Sequence, residues 1–178
     1  SQHVVEGNRR TSLRQDIQAE LERRGQRCDC IRCNEVSRQK VDPETLVLQD
    51  KTYHPRSAEE HFLNFRTPDQ KIAGYLRLSL PRDEEGSHPS ADLAFADLQR
   101  AALIREIHVY GQSLAVGAEK DGAAQHIGLG KELIEEACRI ARADGCQSIA
   151  VIAAVGTRQY YEARGFRRGE LYMLRDLV

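Results

Sequence analysis

Several things are scarce in this sequence, and each shortage closes off a class of protein. No apolar run approaches the roughly 20 residues of a membrane-spanning helix. No signal peptide, internal repeat or low-complexity tract is visible. The five cysteines are an odd set with three crowded together, which argues against a secreted disulfide framework. A reducing cytoplasm is therefore the expected setting. A net charge of −1 gives the whole chain no bias toward an acidic or basic partner.

What is present suits one soluble domain. At 178 residues, with 40% apolar and 30% charged, such a chain buries about 70% of its unfolded surface. Charge is unevenly spread. Residues 1–40 hold nine Lys/Arg against six Asp/Glu, net +3, and the remainder is net −4. Arg9, Arg10, Arg14, Arg23, Arg24, Arg27, Arg32, Arg38 and Lys40 could meet a phosphate backbone or simply solvate a helix face.

The organising stretch is Gln125-His126-Ile127-Gly128-Leu129-Gly130. It runs into an apolar-striped helix, Lys131 to Ala143, with Leu129, Leu133, Ala137 and Ile140 at three- and four-residue spacing. The glycines then fall on the first turn, where main-chain N–H groups lack intrahelical partners and the helix dipole favours an anion. A pyrophosphate is the ligand such a loop suits, although two glycines at a helix start are common.

Upstream, Ser12-Leu13-Arg14-Gln15 reads as a capping box opening a short basic helix. Its stripe is Leu13, Ile17 and Leu21, and Gly25 stops it. The stripe needs a surface to dock on. Cys28-Asp29-Cys30-Ile31-Arg32-Cys33 follows, and three thiols in six residues can converge on one Zn(2+). A fourth ligand is required, with His3, His54, His61 and His108 as candidates. Cys138, mid-helix at an apolar position, reads as a buried small hydrophobe.

Strands are expected at Thr45–Tyr53, His61–Phe65 and Lys71–Leu80, the last two paired as a hairpin across Thr67–Gln70. Pro81–Ser90 reads as a surface loop, and Ala91–Gln99 as a stretch carrying a short helical turn. Ala102–Tyr110 is a further strand, and Ser148–Val155 a buried central one. Thr157 is expected to cap a short helix ending at Gly165, with one or two closing strands after it. The fold class is α/β (α+β): a mixed, mostly antiparallel central sheet flanked by helices. Residues 1–44 form the basic helix and cysteine linker, and 45–178 the main domain.

With its Gln-x-x-Gly-x-Gly loop between a strand and a helix, and with Tyr161-Glu162-Ala163-Arg164-Gly165-Phe166, the chain resembles the GNAT acetyltransferases. The segments 105–111, 125–130 and 155–161 are similar to the acetyltransferase domain of the Elongator catalytic subunit family. Residues 27–36 resemble the cysteine-bearing linker of its prokaryotic forms, and Leu171-Tyr172-Met173 their C-terminus. The resemblance implies an acyltransferase that binds acetyl-CoA and works on tRNA. Full-length members add a radical S-adenosylmethionine (SAM) domain with a 4Fe-4S cluster, and carboxymethylate the wobble uridine, U34. The cluster's cysteine motif is absent here, so the chain reads as a C-terminal piece that binds acetyl-CoA without carboxymethylating. Partners would then be tRNA, acetyl-CoA and the radical SAM domain. The sequence departs from the family at Ala153-Ala154, at 55–58 and at Gly169-Glu170.

The cofactor-binding candidates are Ile107, His108, Val109, Gln125, His126, Ile127, Gly128, Leu129, Gly130, Lys131 and Tyr161. Main-chain N–H groups of the strand 106–110 would polarise the thioester. Tyr161, favoured over Tyr160, would protonate the sulfur, and Glu106 would act as base. The other readings are a protein-lysine or small-amine N-acetyltransferase, and a non-catalytic zinc-stapled RNA-binding module.

Overall fold

The computed structural model describes residues 12–37, 39, 41–83, 86, 95–110 and 128–177. Two compact units emerge, Ser1–Asn34 and Glu35–Val178.

In the first unit, helix α1 spans Leu13–Arg23 and a single helical turn, α2, spans Ile31–Asn34. Gly25, at φ +65°, closes α1 with the Gln26 amide donating to the Leu21 carbonyl at 2.8 Å, a Schellman ending that leaves few carbonyls bare. The expected capping box does not form: Ser12 makes no side-chain cap bond. No residue of α1 is buried, and Leu13 and Ile17 remain 38% and 49% exposed.

In the second unit seven strands form one sheet in the order β1-β2-β3-β4-β5-β7-β6. They are β1 Val47–Tyr53, β2 Ala58–Arg66, β3 Ile72–Pro81, β4 Ala101–Val109, β5 Ser148–Val151, β6 Arg167–Arg168 and β7 Met173–Asp176. Only β4 and β5 are parallel, as a helical crossover between them requires; every other ladder is antiparallel. That crossover ends in helix α3, Leu129–Ala143. A shorter helix, α4, spans Arg158–Glu162, and 3-10 turns lie at Pro43–Thr45, Ala96–Leu98 and Val155–Thr157.

The core lies between α3 and one face of the sheet. Leu63, Leu76, Leu78, Ile104 and Ile149 meet Leu129, Leu133, Ile134, Ala137 and Cys138, all at most 2% exposed. Each large aliphatic group buried there contributes roughly 1.5–3 kcal/mol. Cys138 is buried, as its position on the helix predicts.

Two expectations need correction. The run 148–155 is not one strand: β5 stops at Val151, where its ladders with β4 and β7 both end, and Ile152 and Val155 are 68% and 76% exposed. Thr157 does not cap α4; its hydroxyl donates to the Ala154 carbonyl at 2.9 Å instead.

Candidate active site

Strand β4 carries an irregularity that shapes everything beside it. It pairs Arg77 with Glu106 but Leu78 with Ile104, leaving Arg105 as the extra residue of a β-bulge. The parallel ladder to β5 ends at the same level, with Ile104 opposite Val151. Beyond it, β4 continues through 105–109 while the chain after Val151 leaves the sheet, so the two strands part. Tyr110 donates to the Ala73 carbonyl at 2.9 Å; with antiparallel alternation, Ile107 and Val109 therefore turn their main-chain groups toward the β5 side. Their side chains pack on the core.

The start of α3 faces this gap. Gly128 stands at N-cap with φ +79°, a left-handed conformation that costs an L-residue about 1–2 kcal/mol, and nothing lies within 4 Å of where its Cβ would be. Its carbonyl accepts from the amides of Lys131 and Glu132 at 2.8 and 3.1 Å, so the first helical bonds begin beyond Leu129 and Gly130. An added Cβ on Gly130 would collide with the Tyr160 hydroxyl, with Val109 also beside it. Gly130 thus makes room for a phenol. Gln125, His126 and Ile127 lie outside the described residues.

The two tyrosines divide sharply. Tyr161 is 6% exposed and belongs to the core, its ring edge-on to Phe166 at 5.5 Å. The Phe166 amide donates to the Tyr161 carbonyl at 3.1 Å around Gly165, φ +80°. The Tyr-x-x-x-Gly-Phe spacing is therefore also a helix-closing device, bringing the residue after the left-handed glycine onto the one five before it. Tyr160, 37% exposed, is the one whose hydroxyl reaches Gly130. Burial raises the pKa of both phenols, which keeps them protonated near neutrality.

Glu106 points to the sheet face away from α3. It accepts from Arg77 Nη1 at 2.9 Å and from the Tyr75 hydroxyl at 3.3 Å, so its charge is already answered by a guanidinium. His108 is exposed on that face, its ring 5.4 Å from Tyr75 and 6.3 Å from Tyr110. Glu60, only 2% exposed, binds Arg105 at 3.0 Å through Oε1, while its Oε2 has no partner among the described residues.

Sequence reasoning missed the bulge and the reach of Tyr160. The first left a signal, because apolar Ile104 and Ile107 cannot share a face of a regular strand. The second left none, since a side chain's contact across the fold is not written in local spacing.

In the first unit, Cys28, Cys30 and Cys33 gather their sulfurs within 4.8 Å of one another, close enough for one ion. The Cys33 amide, the two neighbouring thiols and Arg14 hold the Cys30 thiol down at about 6, and a thiolate is the form that binds zinc. Cys33 Sγ accepts from Arg14 at 3.1 Å and from Gln18 Nε2 at 3.5 Å. Among the described residues no fourth ligand joins the group. His61 has both ring nitrogens engaged, by Asp50 at 2.7 Å and Glu59 at 3.2 Å. Of the basic residues, Arg23 and Arg24 both bind Glu20 at 2.6 Å, which neutralises part of that patch.

A family model described as acetyltransferase (GNAT) family matches residues 30–166, and the chain belongs to that family. Within it, the sequence is 35% identical over 170 residues to the tRNA uridine(34) acetyltransferase of Dehalococcoides mccartyi, covering 93% of this chain and 36% of that protein. It is 36% identical over 180 residues to human Elongator complex protein 3, covering 98% of this chain and 32% of that one. The solved archaeal Methanocaldococcus infernus Elp3 with an N-terminal deletion superposes with a TM-score of 0.74 at 30% identity, over 97% of this chain and 41% of that one. The chain thus spans about a third of the length of these curated relatives. No helix among the described residues is long and apolar enough to cross a membrane.

Proposed function

We propose that this chain binds acetyl-CoA between β4 and β5 and serves as the acyl-transferring part of a tRNA wobble-uridine (U34) carboxymethylating enzyme. The observation that carries the reading is a coincidence of geometry: the β4–β5 ladder stops where the unpaired first turn of α3 and the Tyr160 hydroxyl meet. Such a gap fits a pantetheine arm running along a strand edge, and the helix start fits a pyrophosphate.

Acetyl-CoA, when bound, supplies the activated acetyl group. Main-chain groups of Ile107 and Val109, with His108 between them, orient the arm and offer donors toward the thioester carbonyl. Gly128, Leu129, Gly130 and Lys131 receive the pyrophosphate, with Gln125, His126 and Ile127 completing the loop. Tyr160 is assigned here as proton donor to the leaving thiolate, in place of Tyr161, because its hydroxyl is the one that reaches Gly130. Glu106, tied to Arg77 and Tyr75, serves better as a brace for β4 than as a base for an incoming amine. That weighs against the amine-acetyltransferase reading.

Cys28, Cys30 and Cys33 would hold Zn(2+). The tRNA partner, and a radical SAM domain with S-adenosylmethionine and a 4Fe-4S cluster, belong to the longer protein this reading implies, which would act in the cytoplasm. Calorimetric titration of the chain with acetyl-CoA tests the cofactor, and tRNA-stimulated acetyl-CoA hydrolysis in the longer protein tests the role. Absence of binding at millimolar CoA sinks the first, and hydrolysis indifferent to tRNA the second. Zinc is checked by elemental analysis of the wild type and of Cys30→Ser, which should lose the metal.

A further inference from the structure

Arg164 is held in an unusual way. Its guanidinium carbon lies 3.4 Å above the centroid of the Tyr160 ring, and Nη1 donates to the Tyr160 carbonyl at 2.7 Å. These two contacts fold the side chain back along α4 and set the cation over the ring. The far end of that ring is the hydroxyl at Gly130. The guanidinium therefore stands one ring's width from the open first turn of α3.

Its charge is not answered there. Arg77, Arg82, Arg105 and Arg175 each hold a carboxylate at 2.6–3.0 Å. Arg164 pairs with no carboxylate among the described residues, and its Nε is buried without a hydrogen-bond partner. An orphaned charged donor in a half-buried place is costly unless an anion completes it. A planar guanidinium presents two parallel N–H groups of the spacing that phosphate oxygens accept.

We propose that Arg164 binds the pyrophosphate of the cofactor from the side opposite the α3 amides, with the Tyr160 ring as the shelf that pre-sets it. This rests on the acetyl-CoA reading above. Main-chain amides and the helix dipole supply only partial charges, and one full cation beside them goes further toward matching a dianion. Tyr160 then contributes twice: its hydroxyl stands at Gly130 and its ring carries Arg164.

The test is calorimetric binding of CoA, 3′-dephospho-CoA and acetyl-pantetheine to the 178-residue chain and to Arg164→Ala, Arg164→Lys and Tyr160→Phe. Arg164→Ala should weaken CoA and dephospho-CoA alike, roughly 10- to 30-fold, and leave acetyl-pantetheine unchanged. Arg164→Lys should lose part of that, since it keeps the charge but not the planar guanidinium. Tyr160→Phe keeps the ring under Arg164, so its loss of CoA affinity should be smaller than that of Arg164→Ala. A loss confined to CoA overturns the pyrophosphate assignment in favour of the 3′-phosphate, and an equal loss for acetyl-pantetheine overturns phosphate recognition altogether. Unchanged CoA binding by Arg164→Ala refutes Arg164 alone, whereas a wild type that binds none of the three refutes the cofactor reading itself. Melting without ligand, expected to agree within a few degrees, separates these results from misfolding.

Discussion

The two ends of α3 are built on opposite plans. At its C-terminal end every loose group is tied. Arg82 grips Asp144 with two bonds, at 2.8 and 2.6 Å, and Arg142 donates to the Leu177 carbonyl at 2.7 Å. Gly145 and Cys146 close the last turn on the Arg142 and Ala141 carbonyls. At its N-terminal end a left-handed glycine turns the chain in, no side chain among the described residues is seen to cap the amides, and a phenol stands beside them with a guanidinium over its ring. One helix thus has an end finished by its own fold and an end that, on the proposed reading, receives a ligand. The finished end lends rigidity to the open one, since amides aimed at an anion are useful only if the helix does not move.

The contrast can be broken most severely at Gly128. Gly128→Glu puts a carboxylate where the pyrophosphate belongs, in a conformation only glycine adopts cheaply. CoA affinity should fall more than 100-fold, at least ~2.7 kcal/mol, while circular dichroism keeps the helical signal; near-normal affinity would end the loop assignment. Tyr160→Phe acts next, on chemistry alone. Thioester turnover in the longer protein should drop on the order of 100-fold with little change in KM.

At the closed end, Arg82→Ala should do the reverse. It removes the guanidinium that Asp144 and Glu59 share in partly buried positions and should cost about 2 kcal/mol, or roughly 4–8 °C in Tm, with CoA affinity intact.

The smallest effect is in acid. The Arg175 guanidinium holds the Glu135 carboxyl below the usual carboxylate range. Its stabilising contribution is therefore complete above the unfolded value of about 4.3 and is lost as pH falls through the lower folded one. Glu135 is half exposed, so the pair is worth no more than about 0.5 kcal/mol. Between about pH 5 and 3 the wild type should lose slightly more stability than Glu135→Gln, and identical acid curves would remove this contribution.

Periodicity made most of this fold legible. The β2–β3 hairpin, the mixed sheet, α3 and the Gly165 stop all follow from apolar spacing and glycine placement, because local patterns decide them. Gly128 and Gly130 were legible as a helix start for the same reason. Tyr160, Arg164 and the Glu106–Arg77 pair were not, since each is defined by a partner 4 to 30 residues away that only folding brings near. Of the two expected caps, Ser12 makes no side-chain cap bond, and Thr157 gives its hydroxyl to the Ala154 carbonyl instead.

The extra residue at Arg105 means that β4 is read in two frames. Before it, even-numbered residues such as Ala102 and Ile104 face the core; after it, odd-numbered Ile107 and Val109 do. The strand is accordingly sensitive to the count of residues there, and separately to the side chain at 105, since Arg105 answers the buried carboxylate of Glu60. Removing that single residue would turn Glu106 and His108 inward and Ile107 and Val109 outward, so the length of the strand at this point decides which side chains the core receives.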